Sequence, residues 1–449
     1  MILLGLLLTA ILGWLVLPRR WTAAPLEGLS LGFLLAAFGI SVEMFVFGLV
    51  GLPLCGWLAL IPWALGAAWL TYRERPALKG LSLPALLPIG AAVCVCAAWW
   101  PYERMMPLTS QAWDAWAIWL FKAKAFFLDG STSPYLARAA EFVGQPGYPL
   151  LTPLYSTFLY ALAGGVDDAA AKMTSPFFFL AMLGAFHFLA RRAAGPVTAA
   201  GTTAMLALTP MLQSVAFELA GYADTALAAY MVCGAGFAYL AVRDGDGADI
   251  AAAALAGTAA AWTKNEGQFF LVGVGAALAA WMFASRRPPK DWAWLAAPPL
   301  LLLGLWWAVR SSAAVEAAGF SVGLDFQAAL FSTALRTMLQ KAFSLSSFNL
   351  AFLLLPAAAA MGATFGATRA FWLAPALVVW QFLGALLAYA TGRNDLAWWL
   401  GTSADRLLSQ MAPLCLFSLA LAFALWSQAQ PAPAPDPEPP AAKRRKRAG

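Results

Sequence analysis

Charge is what this sequence lacks most. Only 11% of its 449 residues are Asp, Glu, Lys or Arg, where soluble proteins carry about 25%. A deficit spread over the whole length excludes a soluble domain with one anchor, and the mean hydropathy of +0.72 agrees. Histidine is nearly absent too. The single one, His187, falls near one end of an apolar run, which reads as a packed or capping residue and leaves no basis for a Ser-His-Asp triad or a His-based metal site. Cys55, Cys94, Cys96, Cys233 and Cys415 all sit inside apolar stretches. Cys94 and Cys96 diverge on a helix and cannot jointly grip a metal. Also missing are the alternating apolar/polar decads of an outer-membrane barrel. The net charge of +6 gathers largely in Lys443 to Arg447 and is no nucleic-acid signal. The N-terminus has neither a basic n-region nor a small-residue cleavage site, so it reads as a retained span.

What remains is apolar sequence in helix-length blocks. About twenty residues of helix cross a ~30 Å hydrocarbon layer, and lipid tolerates no unpaired backbone. The fold class is therefore an all-α, polytopic membrane helix bundle. Candidate spans are 2–17, 28–52, 54–71, 83–100, 171–190, 197–213, 222–242, 248–263, 267–284, 292–310, 345–363, 370–390 and 407–427. The apolar piece 150–164 is short and opens at Tyr148-Pro149. Counting it as a crossing would put Arg191-Arg192, Arg286-Arg287-Lys290, Arg369 and the basic tail outside. The positive-inside rule therefore makes it a re-entrant or interfacial helix on the outer face, and the total is about thirteen crossings. Four stretches follow: 1–82, 83–310 with a long outer loop at 101–149, 311–427, and a basic tail at 428–449 expected to be cytoplasmic and held near anionic lipid.

Ionisable residues in such surroundings need a partner or a purpose. Four clusters map to the outer face. The first is Trp113-Asp114-Ala115-Trp116-Ala117-Ile118-Trp119 with Lys122 and Lys124. At helical spacing Trp116 and Trp119 share a face. An aromatic belt explains the tryptophans but not a carboxylate among them, and a carboxylate in a partly dry cleft suits a general base. The second is Glu218 with Gly221-Tyr222-Ala223-Asp224-Thr225. Here Asp224 reads either as a helix N-cap or as a carboxylate that orients an acceptor or holds a divalent cation. The third is Thr263-Lys264-Asn265-Glu266-Gly267, a tight turn whose lysine either snorkels or holds a phosphate. The fourth joins Thr391-Gly392-Arg393-Asn394-Asp395 to Ser403-Ala404-Asp405-Arg406. Arg406 suits bidentate phosphate binding, with Asp395 or Asp405 as the alternative ion-pair partner. Glu43, in the middle of span 28–52, either pairs within the bundle or meets water.

With these clusters in order, the chain resembles the GT-C superfamily, in particular the protein O-mannosyltransferases and the aminoarabinose transferases of lipid A. The features that carry the likeness are Asp114 with Trp113, Trp116 and Lys122, then Gly147-Tyr148-Pro149-Leu150, Tyr222-Ala223-Asp224-Thr225, and Thr263-Lys264-Asn265-Glu266-Gly267. It covers roughly 83–310, with a looser match at 391–406. Several relatives carry an adjacent acidic pair where this chain has Asp114 alone. The resemblance implies a bacterial inner-membrane glycosyltransferase with its site on the periplasmic face, and a GT-C-like core at 83–310. It implies a polyprenyl-phosphate-linked sugar as donor and a lipid, glycan or protein acceptor, reacting with inversion. Asp114 is then the expected base. Lys264 and Arg406 are expected at the phosphate, with Lys122 secondary, and Asp224 would orient the acceptor or a divalent metal. Tyr148, Glu266 and Arg393 complete the expected binding set. Two other classes stay open: a transporter or flippase of a lipid-linked or small polar solute, and a polysaccharide polymerase or ligase using the loop 311–344 with Arg310, Glu316, Asp325, Arg336 and Lys341.

Overall fold

The computed structural model of the chain describes residues 1–22, 24–73, 112–141, 144–313, 325–392 and 394–430. The expected span 83–100, Arg393 and the basic tail from Pro431 lie outside the described residues. Among the described residues every regular element is helical. Sixteen helices matter here: α1 (Ile2–Val16), α2 (Pro25–Val50), α3 (Gly56–Arg73), α4 (Leu120–Asp129), α5 (Leu151–Ala163), α6 (Thr174–Ala194), α7 (Pro196–Ala207), α8 (Pro210–Phe217), α9 (Asp224–Asp244), α10 (Gly247–Thr263), α11 (Asn265–Ala284), α12 (Pro289–Ser312), α13 (Ala328–Ala342), α14 (Leu354–Thr364), α15 (Leu373–Thr391) and α16 (Leu396–Ala429).

Seven helical stretches among the described residues are long and apolar enough to cross a membrane: Pro25–Val50, Asp168–Ala194, Asp224–Asp244, Asn265–Ala284, Pro289–Ser312, Leu373–Thr391 and Leu396–Ala429. The chain is therefore a multi-pass membrane protein by length and composition. Helix α1 and helix α14 are apolar but shorter. Two expected spans break. The stretch 197–213 splits into α7 and α8 at Thr209, which turns extended (φ −73°, ψ 112°) ahead of Pro210, because a residue before proline avoids the helical region. The stretch 345–363 is interrupted at Asn349, whose φ is +50°, before α14 begins. Helix α5 has 13 residues, about 20 Å of helix and too short to cross. Nearly all of its residues are buried, and it packs on α1, α2, α3 and α4.

Polar side chains gather at the two ends of this bundle. Helix α9 measures the distance between them, carrying Asp224 at its first residue and Asp244 at its last across 21 residues, about 30 Å. At the Asp244 end, Glu27 receives hydrogen bonds from His187 Nδ1 (2.7 Å) and Arg191 Nε (2.8 Å). Arg192 bridges Asp244 and Asp249, Arg20 pairs with Asp246, and Arg287 with Asp291. His187 is thus a packed residue hydrogen-bonded to Glu27. Between the ends lies an apolar band in which α9 and α10 pack on each other and on α6, α11 and α12.

At the other end α10 and α11 form a hairpin joined by one extended residue, Lys264 (φ −156°, ψ 159°). The hairpin is closed by Gly267, where a Cβ would lie 1.9 Å from the Ala260 carbonyl oxygen. Replacing Gly267 by Ala forces the helices apart. Overpacking of this kind costs about 1–3 kcal/mol, so Gly267→Ala should lower the thermal midpoint of the purified protein in nanodiscs by several degrees. An unchanged midpoint would contradict the close packing.

Candidate functional site

The site forms where the hairpin turn, the start of α9, the segment before α4 and the first half of α16 meet. Asp224 is its centre and has no exposed side-chain surface. It is the first residue of α9 rather than its cap, and its carboxylate makes no capping bond. The oxygens face inward instead. Oδ1 accepts from Lys264 Nζ (2.9 Å) and Gln410 Nε2 (2.6 Å), and Oδ2 accepts from Arg406 Nε (3.2 Å). A buried carboxylate is retained only when donors of this quality replace its hydration.

Each cation bridges two acids. Lys264 Nζ also reaches Glu266 Oε1 at 3.1 Å, and Arg406 Nη2 reaches Asp114 Oδ2 at 2.7 Å. Burial alone would lower the Lys264 pKa, but Asp224 and Glu266 outweigh it and raise the value. Arg406 also lies over the Tyr222 ring, 4.6 Å from its centroid. Its partners are therefore Asp114 and Asp224, not Asp395 or Asp405. Asp395 caps α16 by accepting from Trp398 N (2.8 Å), and Asp405 pairs with Lys341. Three carboxylates and two cations give the network a formal charge of −1.

Asp114 and Glu266 are the partly exposed acids, at 19% and 26% of their side-chain surfaces. Asp114 precedes a π-helical turn, Ala115–Trp119, ahead of α4. Such turns are rare and frequently occur at functional sites. The wider turn separates the two indoles expected to share a face. Trp116 is exposed and packs on Trp113 (6.1 Å), whereas Trp119 is buried and stacks on Tyr148 (5.4 Å). The Asp114 backbone N–H donates to the Tyr222 hydroxyl (3.3 Å). Burial and the Asp114 charge push that phenol up to about 12. Gly221, at φ +95° with Ala115 Cβ 2.9 Å from where its own Cβ would stand, makes the tight approach possible. Its N–H donates to Ser175 Oγ (2.8 Å).

Tyr148 is buried beside this network. Burial first, and then Glu266 and Asp114, hold its hydroxyl far above the usual phenol value. Lys122 lies behind the Trp119–Tyr148 stack, 5.7 Å from each ring centroid, and donates to the Gln145 carbonyl at 2.6 Å. It makes no ion pair among the described residues. Burial, helped by the Arg310 charge, lowers its pKa to about 7. Of the expected set, Asp114, Asp224, Lys264, Glu266 and Arg406 are brought into one network. Tyr148 adjoins it and Lys122 is one aromatic layer removed. Glu218 is not part of it and bonds to Ser214 within its own helical turn.

The network also holds residues that sequence reasoning missed. Gln410 follows Arg406 by one helical turn, so the same face of α16 presents both to Asp224. Gln381 on α15 donates to the Glu266 carbonyl (3.1 Å). A buried amide in each of two apolar spans was the available signal. Asp224 does not suit a metal ion, because both of its oxygens are committed to cationic or amide donors. No group of three or more His, Cys, Asp or Glu among the described residues is arranged to hold one.

A lysine whose pKa falls on folding weakens the fold wherever the unfolded chain is protonated and the folded one is not. That window runs from about 10.5 down to about 7, so the Lys122 contribution makes stability fall as pH drops through it and level off below. Lys122→Met should therefore raise the melting temperature near pH 7 and flatten its rise toward pH 10. An identical pH profile for variant and parent would contradict the buried, unpaired amine. No protein-family model matches the chain, and no similarity was found among curated proteins or solved structures.

Proposed function

We propose that the chain is a membrane glycosyltransferase that moves a sugar from a polyprenyl-phosphate carrier to a lipid, glycan or protein acceptor. One observation carries this reading: a partly exposed carboxylate, Asp114, pairs with Arg406, which Asp224 joins to the buried Lys264, at one end of an otherwise apolar bundle. Displacement at an anomeric carbon needs those two chemistries together. A base must take the proton of the acceptor nucleophile, and cations must stabilise the departing phosphate.

Asp114 is assigned as the base because it is partly exposed and pairs with Arg406, the cation assigned to the phosphate, whereas the other partly exposed acid, Glu266, pairs with Lys264. Arg406 is assigned to the phosphate, as its planar fork matches phosphate oxygens. Lys264 supports it through Asp224, which Gln410 holds in place. The exposed indoles of Trp113 and Trp116 offer flat apolar faces to a sugar ring or prenyl chain. The arginine-rich opposite end is assigned to the cytoplasm by the positive-inside rule, which turns the site toward the periplasm of a bacterial inner membrane. The resemblance to the GT-C superfamily supports the same assignment.

The test is donor consumption. Purified protein in nanodiscs should deplete one member of a panel of polyprenyl-phosphate sugars when a crude lipid or glycan acceptor is added. Asp114→Asn should reduce that rate by about 10²–10⁴ while leaving the melting temperature within a few degrees of the parent. Undiminished transfer by Asp114→Asn would remove the base. Movement of a labelled solute across vesicles without donor loss would replace transfer by transport.

A further inference from the structure

In this structure neither cation is available to a phosphate. Lys264 is enclosed between Asp224 and Glu266, and its side chain is 4% exposed. Arg406 is held by Asp224 on its Nε edge and by Asp114 at Nη2, with the Tyr222 ring across one face. The two acids on Arg406 are unequal. Asp224 has no exposed surface and two further donors, Lys264 and Gln410. Asp114 is 19% exposed, and Arg406 is its one ion-pair partner among the described residues. Of the two acids on Arg406, Asp114 is thus the one an anion can replace without unmaking the buried contacts of Asp224.

We propose that Arg406 is an exchangeable clamp: a phosphate group bound at Arg406 displaces Asp114, and the displacement is what frees Asp114 to act. This rests on the assignment of the donor phosphate to Arg406. The swap conserves the arginine's ion pairing, since phosphate oxygens replace a carboxylate oxygen beside the same guanidinium nitrogen. It leaves Asp224, anchored from Lys264 and Gln410, as the fixed point about which the exchange happens. The displaced Asp114 loses its counter-charge and is left facing the acceptor side of the bound phosphate. An empty site would therefore keep its base neutralised, and only the donor-loaded site would have a competent one. Tyr222 restrains the Asp114 backbone through its hydroxyl, so the carboxylate can swing while the main chain stays in place.

Exchange makes a prediction opposite to that of a simple contact. A residue that merely lines a phosphate site weakens binding when it is lost, whereas a competitor for the clamp strengthens it. Titrating a polyprenyl monophosphate into the nanodisc-embedded protein should give Asp114→Asn a Kd about three- to tenfold lower than the parent. Arg406→Gln should bind at least tenfold more weakly. Inorganic phosphate, titrated in parallel, separates the sources of the anion. Tightening with both probes supports exchange for phosphate in general, and tightening with the prenyl probe alone supports exchange for the lipid-linked group. Equal or weaker binding by Asp114→Asn, with the parent still binding, overturns the clamp and leaves the glycosyltransferase reading standing. Failure of the parent to bind either probe overturns both.

Discussion

A carboxylate sealed from water costs several kcal/mol unless donors replace its hydration, and Asp224 meets that requirement with residues from two other parts of the chain. Lys264 comes from the α10–α11 turn, while Arg406 and Gln410 come from successive turns of α16. These contacts fix the start of α9 against α16 and against the hairpin, and every other feature of the site hangs on that junction. Arg406 can reach Asp114 because Asp224 holds its Nε edge. Glu266 joins because Lys264 is already turned inward. Removing Asp224 would leave two buried cations with one acid each, both of them nearer the surface.

The rest of the architecture keeps this junction at one end. Between Asp224 and Asp244 the α9 residues are almost all small or apolar and buried, and the ionic pairs resume only around Asp244, Asp249 and Glu27. An apolar band about as deep as a bilayer core thus separates two polar layers. The layers differ in character. One is rich in arginine, paired with acids that include the buried Glu27, Asp249 and Asp291. The other is a small network centred on a buried carboxylate, with Asp114 and Glu266 partly exposed at its edge. That difference is the physical ground for placing the chemistry at the second.

Much of this was legible in the sequence, for a definite reason. In a chain with so little charge, each ionisable residue is conspicuous, and the same scarcity marked Asp114, Asp224, Lys264 and Arg406 before their partners were known. Helix type and the α9–α12 boundaries followed from apolar block length. What could not be read was anything decided by packing. Arg406 chose Asp114 and Asp224 over Asp395 and Asp405, which lie far closer in sequence. The π-helical turn rotated Trp116 away from Trp119, because its wider repeat defeats the expected spacing. Gln410 was overlooked as an uncharged residue in a span, although it sits one turn from Arg406. The breaks at Thr209-Pro210 and Asn349 were local signals hidden by high hydropathy on both sides.

The central claim is that the Asp114–Arg406–Asp224 network is the place where an anionic, lipid-linked group binds and reacts. A cryo-EM structure of the nanodisc-embedded protein with a hydrolysis-resistant polyprenyl-phosphonate sugar tests it most directly. The account predicts phosphonate density within about 3 Å of the Arg406 guanidinium, with the Asp114 side chain turned away from Arg406 and toward the anomeric carbon. Ligand density at another part of the bundle, or a ligand bound here with the Asp114–Arg406 pair intact, would contradict it.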